Sequence, residues 1–164
     1  DDLDRYLQSR GYDLVDPVAI YVSPVELSYP DPGVDAIWPP DESTVALWAT
    51  GGIGPARVAA MERATGEKTA LVAIEKNTTL GVAFVATSGE IAMLHALEVS
   101  PHARRRRIGT DIMKAASHWA RENGASSLTL MVTRANTPAN ALYRGLGMIE
   151  VGHYHYRRAP QAKQ

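Results

Sequence analysis

The sequence predicts one α+β domain in which a central mixed, mostly antiparallel sheet is flanked by helices. Three observations carry this reading. Apolar runs rich in Val, Ile, Leu and Ala, bounded by glycine, proline or polar residues, recur at 69–75, 79–87, 90–99 and 127–133, as strands of a buried sheet should. Between the last two, Ile108, Ile112, Ala115, Ala116, Trp119 and Ala120 recur at helical spacing. The resulting order is helix, antiparallel strands, helix, strand, helix, strand, strand, whereas regular strand-helix alternation would mark a doubly wound sheet. At 164 residues and 45% hydrophobic content, the chain suits a single core and is too short for two ordinary domains.

Taken in order, residues 1–43 read as an N-terminal extension, 44–158 as the principal domain and 159–164 as a tail. Six of the ten prolines fall between Pro17 and Pro40, together with Tyr21, Tyr29 and Trp38, so irregular chain packed on the domain surface is expected there. Before it, Tyr6-Leu7, Gly11-Tyr12, Val15 and Val18-Ala19-Ile20-Tyr21 repeat the helix-glycine-strand-break-strand order of Leu142-Tyr143, Gly147-Met148, Val151 and Tyr154-His155-Tyr156-Arg157. The offset is 136 throughout. A generic helix-strand junction accounts for this as well as duplication does; on the second reading the extension is the tail of an upstream half.

From Gly54 a short helix carrying Val58 and Met61 reaches about residue 65, and Lys76-Asn77 reads as the turn of a hairpin. The helix after Gly109 ends at Asn123-Gly124, a pair suited to a left-handed stop. Asn136 or Thr137 caps a further helix with Pro138 in its first turn and Leu142, Tyr143 and Leu146 along its body, and Gly147 closes it. Short strands over 148–151 and 153–157 flank Gly152.

Composition removes several chemistries. Without cysteine there is no disulfide, thiolate metal ligand or thiol nucleophile, and no metal is expected. No apolar run approaches a membrane span, and the acidic Asp1-Asp2-Leu3-Asp4 opening is unlike a signal peptide, so a cytoplasmic protein without a membrane partner, monomeric or homodimeric, is expected. The net charge of −1 conceals a polarity: residues 1–100 carry 6 basic and 15 acidic side chains, residues 101–164 carry 11 and 3. The basic half suits an anionic ligand; mutual neutralisation across the fold explains the counts equally well.

The most informative segment is Val99-Ser100-Pro101-His102-Ala103-Arg104-Arg105-Arg106-Arg107-Ile108-Gly109-Thr110, a strand passing through a basic turn into a helix. The first amides of such a helix lack partners and carry the positive end of its dipole, Gly109 lets backbone approach a ligand, and four arginines surround the same point. A phosphate or diphosphate is the natural occupant. A solvated charge run explains neither the strand before nor the helix after.

Together with Asn136-Thr137-Pro138-Ala139 and Ala141-Leu142-Tyr143-Arg144-Gly145-Leu146-Gly147-Met148, this segment resembles the GNAT superfamily of acyl-CoA-dependent N-acyltransferases over roughly residues 69–157. The resemblance implies a GNAT-like sheet and acetyl-CoA as co-substrate. It implies that Arg104, Arg105, Arg106, Arg107, Ile108, Gly109 and Thr110 cradle the CoA diphosphate through backbone amides. It further implies that the backbone of Leu97 and Val99 holds the pantetheine arm, that Asn136 lies beside this arm and that Tyr143 lies near the thioester sulfur. One departure from the family pattern is that its first glycine is Arg107 here; the charge of that side chain is expected to point outward.

Such a transfer needs a neutral amine, a polarised carbonyl and a proton for the departing thiolate. Tyr143 fits the acid role, since a phenol is protonated at neutral pH, and a backbone amide at or near Val99 suits the carbonyl. For the base, Glu98 is favoured by position and His95 by its ordinary pKa, with an ordered water as a third route. Their odd separation is expected to put them on opposite faces of the strand. The acceptor is a small-molecule or peptide amine, which acidic Asp31, Asp35, Asp41 and Glu42 around Trp38 would suit if it is cationic. Two other classes stay open: an acyl-CoA-binding or regulatory module that transfers nothing, and a nucleic-acid-associated protein using the arginines of the turn with Arg157 and Arg158, although no nucleic acid partner is expected.

Overall fold

The computed structural model describes residues 2–25 and 33–160; Tyr29, Asp31 and the end of the tail lie outside the described residues. Seven strands follow the order β2-β3-β4-β5-β6-β1-β7. They are β1 (Asp13–Pro24), β2 (Val34–Ile37), β3 (Lys68–Glu75), β4 (Thr78–Ser88), β5 (Ile91–Val99), β6 (Ser127–Thr133) and β7 (Ile149–Arg158). The helices are α1 (Asp2–Ser9), α2 (Glu42–Thr50), α3 (Pro55–Glu62), α4 (Ile108–Glu122) and α5 (Thr137–Gly145). The expected α+β class is the observed one. The chain divides into two compact units, Val22–Leu130 and a second made of Asp1–Tyr21 with Met131–Gln164.

In the larger unit β2, β3, β4 and β5 form an antiparallel meander, and β6 pairs with β5 in parallel, from Ile91 opposite Ser127 to Leu94 opposite Leu130. Lys76 and Asn77, at φ 49° and 61°, make the two-residue turn between β3 and β4 that the right-handed twist of a hairpin favours. On one face Val72, Val82 and Phe84 pack with Trp48 of α2 and Met61 of α3. Successive side chains of a strand alternate, so Gly81 looks to the other face, where a Cβ would stand 2.6 Å from Ile108 Cγ2 and 2.8 Å from Ile112 Cδ1. Helix α4 therefore seats its first turns directly on β4.

The smaller unit repeats one arrangement. Helix α1, Gly11 at φ 77° and β1 match α5, Gly147 at φ 78° and β7, and Asp16 of β1 (φ 47°) stands at the position corresponding to Gly152. The offset is that of the sequence echo. Asp4 of α1 ties to β7: its carboxylate accepts from Arg157 Nε at 2.7 Å and Nη2 at 2.9 Å, and Asp4 Oδ1 lies 2.6 Å from His155 Nε2.

Four points differ from the sequence expectations. The proline-rich stretch contains most of β1 and all of β2, because the positive φ of Asp16 relieves the ladder beside Pro17 and Pro24 stands at the strand end, positions that spare a sheet the missing N–H. Tyr21 is fully buried rather than superficial. Helix α2 was not foreseen, although Asp41 caps it by accepting from Thr44 N at 2.8 Å. The two short strands about Gly152 are one continuous β7.

Candidate functional site

The basic turn has the backbone of an anion cradle. After β5, Pro101–Ala103 form one 3-10 turn, and the chain then places Arg105 at φ 61° and Arg107 at φ 67°, the left-handed region that glycine favours. Arg107 is the N-cap of α4 and no side chain caps this helix, in contrast to Asp41 on α2 and Asn136 on α5. A turn with left-handed residues leading into an uncapped helix presents consecutive N–H groups to one point, which is how backbone binds phosphate. Thus Arg107 adopts a backbone conformation natural to glycine, at a cost of roughly 1–2 kcal/mol in strain. The four arginines are exposed, but Arg106 is engaged: its Nη2 donates to both Glu75 carboxylate oxygens at 2.8 and 2.9 Å, holding that carboxyl below its ordinary pKa.

The strand before the turn carries a bulge. Val82 opposes Glu98 and Phe84 opposes His95, so three steps of β5 span two of β4, and Ala96 takes φ 54°. Residues directly opposite in an antiparallel pair share a face, and Val82 and Phe84 share one. His95 and Glu98 therefore lie on the same face of the sheet, the one covered by α2 and α3, which overturns the expectation from their odd spacing. The bulge is held by Trp48, fully buried, whose Nε1 donates to Ala96 O at 2.9 Å. Leu97 and Val99 lie past the recorded β5–β6 ladder.

The environments of the two candidate bases differ. Desolvation raises the Glu98 pKa, opposed by the charge of Arg104. Its carboxyl lies beside the chain after α2, where a Cβ on Gly51 would meet Glu98 Cδ at 2.3 Å. Desolvation, then the Arg57 guanidinium, lowers the His95 pKa, favouring neutral imidazole.

In the smaller unit Asn136 is an exposed N-cap whose Oδ1 accepts from Ala139 N at 3.2 Å. Tyr143 is 6% exposed, with its ring 6.0 Å from that of Tyr21. Asn140, which the sequence reading passed over, is buried beside them: its Nδ2 donates to Thr133 O and Asn136 O, and its Oδ1 accepts from Tyr21 Oη at 3.1 Å. Trp48, Arg57, Gly51 and Tyr21 were also missed. Only the Asp41-x-x-Thr44 cap ahead of Trp48 gave a local signal. Asp41 is committed to that cap, and Asp31 lies outside the described residues. Among the described residues no helix is long and apolar enough to cross a membrane, and no cluster of three or more potential metal ligands occurs.

Residues 34–148 match the model of the acetyltransferase (GNAT) family. An aminoglycoside N(6')-acetyltransferase type 1 of Klebsiella aerogenes is 33% identical over 73 residues, covering 44% of this chain and 48% of that protein. The chain spans about half the length, or less, of the curated relatives it matches. Among solved structures, the GCN5-related N-acetyltransferase of Sphaerobacter thermophilus superposes with a TM-score of 0.72 at 17% identity, over 99% of this chain and 58% of that one. The aminoglycoside N-acetyltransferase AAC(6')-Iy in complex with CoA gives a TM-score of 0.61 at 15% identity, over 77% and 98%. These structural likenesses speak for the fold.

Proposed function

The chain belongs to the acetyltransferase (GNAT) family, and we propose that it transfers an acetyl group from acetyl-CoA to a primary amine by direct attack in a ternary complex. The observation that carries this is the uncapped start of α4 behind a turn that keeps its left-handed backbone even at Arg107. Such a backbone is costly in arginine and fits a diphosphate. On this reading the amides of residues 104–110 and the α4 dipole bind the diphosphate, with Arg104, Arg105 and Arg107 adding charge. The β5 backbone at Leu97 and Val99 takes the pantetheine arm.

Bound acetyl-CoA supplies the activated acyl group as a thioester. Glu98 or His95 removes the proton that the amine must lose, directly or through a water, and a β5 amide near Val99 polarises the carbonyl. Tyr143 protonates the departing thiolate or stabilises it by hydrogen bonding. The named activity of the Klebsiella relative puts aminoglycosides among the amines to be tested.

Calorimetry with acetyl-CoA, followed by thiol release over an amine panel, tests the reading. Tyr143→Phe should lower kcat by about 10²-fold, the usual range for losing a general acid, with acetyl-CoA affinity within about threefold of wild type. Unchanged kcat removes the acid role, and absence of acetyl-CoA binding removes the function.

A further inference from the structure

The larger unit contains a 610 Å³ cavity between α3 and the β4–β5 hairpin, a volume in the range of small-molecule sites. Ile91, Met93 and His95 line it from alternate positions of β5, so it runs along the face onto which the bulge also turns Glu98. Met61, Ala64 and Phe84 supply further apolar wall. Arg57 and His95 are its titratable members among the described residues, and they are close enough for the guanidinium charge to bear on the imidazole. Arg57 is exposed and has no ion-pair partner among the described residues.

This lining is wrong for a polycation. No carboxylate among the described lining residues would balance an ammonium, Arg57 repels one, and beside the apolar wall only Thr65, Thr87 and Ser88 of the described lining offer hydroxyls for the many polar groups of an aminosugar. It suits a molecule with one anionic group, a bulky apolar body and an amine close to the anion. Resting on the acetyltransferase reading above, we infer that the acceptor is an α-amino carboxylate with a large apolar side chain. Arg57 takes the carboxylate, the side chain fills the groove over Met93 and Ile91, and the amine stands at the His95 end. The amine nitrogen forms a bond to the acetyl carbon as the carbon–sulfur bond breaks. The nitrogen loses one proton and the CoA thiolate gains one, giving the N-acetyl amino acid and CoA thiol. Holding the amine neutral is easier beside Arg57 and neutral His95 than beside a carboxylate.

The test compares L-phenylalanine, L-phenylalaninamide and kanamycin as acceptors with acetyl-CoA, and measures N-acetyl-L-phenylalanine binding by calorimetry without turnover. L-Phenylalanine should exceed its amide in kcat/KM by at least about tenfold, the value of one charge-assisted contact. Arg57→Ala should raise KM for the acid by a similar factor, leave that for the amide within about threefold and abolish N-acetyl-L-phenylalanine binding, with partial recovery in Arg57→Lys. Preference for kanamycin, equal use of acid and amide, or equal KM changes in Arg57→Ala overturns the inference while leaving an acetyltransferase in place. If no amine releases thiol, the transferase reading fails. Arg57-dependent calorimetric binding would still support the cavity assignment, and its absence would overturn that too.

Discussion

Arg107 sits where backbone conformation and side-chain chemistry pull apart. Its φ of 67° is that of glycine, so substitution reports which of the two matters. Arg107→Gly removes the strain and one charge, and CoA affinity should stay within about threefold. Arg107→Val, β-branched and poorly tolerated in this region, should weaken CoA binding by about tenfold, the equivalent of 1–2 kcal/mol. Calorimetry on both variants separates an amide cradle from a cationic patch. The candidate bases separate by substitution combined with a pH profile. With Glu98 as base, burial puts the acidic limb of kcat/KM above the ordinary glutamate value of about 4.3; with His95 as base, burial puts it below the ordinary imidazole value of about 6.5. Activity rises with pH through that limb, since the base must lose its proton. Glu98→Gln abolishes the limb and lowers kcat by about 10²-fold if Glu98 is the base; if His95 is, only His95→Gln does so.

At the scale of the element, the β5 bulge decides more than any single side chain. An extra residue at Ala96 reverses the side-chain alternation, and the Trp48 indole fixes it from α2 by a single hydrogen bond. Trp48→Phe keeps most of the packing but leaves the Ala96 carbonyl unpaired, a cost of about 1–3 kcal/mol. The expected result is a Tm lower by about 2–4 °C per kcal/mol, with kcat falling and CoA affinity kept, because the proposed cradle at residues 104–110 does not include the bulge. Differential scanning calorimetry and steady-state kinetics on one preparation check this. A fall in CoA affinity equal to that in kcat would show that the bulge supports the cradle instead.

Across the larger distances of the chain, α1 and β7 are tied within the smaller unit, where Asp4 of α1 bonds to His155 and Arg157 of β7. The hydrogen bonds from Arg157, then His155, hold the Asp4 carboxyl well below its ordinary pKa. A depressed carboxylate stabilises the fold above its unfolded value of about 3.9, and that contribution is lost as pH falls through the lower folded value. Asp4→Asn should therefore lower Tm at neutral pH, with the difference from wild type shrinking below about pH 4 and vanishing in strong acid. Thermal melts across that range decide it. A constant difference would assign the effect to packing of α1.

Local chemistry was readable along the chain wherever neighbours in sequence are neighbours in space. The Lys76-Asn77 turn, the Asn123-Gly124 stop, the α5 cap at Asn136 and the strand-turn-helix around the four arginines depend on a few consecutive residues, and all stand where the spacing put them. The family followed from two such motifs. What the sequence could not determine rests on partners distant along the chain. The bulge at Ala96 needs Trp48, 48 residues away, and it alone makes His95 and Glu98 share a face. Tyr21 is buried because Asn140 and Tyr143 receive it, 119 and 122 positions on. Periodicity assumes an unbroken ladder and proline counts assume an unpaired chain. Tertiary contacts overrode both, since a hydrogen bond or a filled core repays local strain that no short window of sequence can weigh.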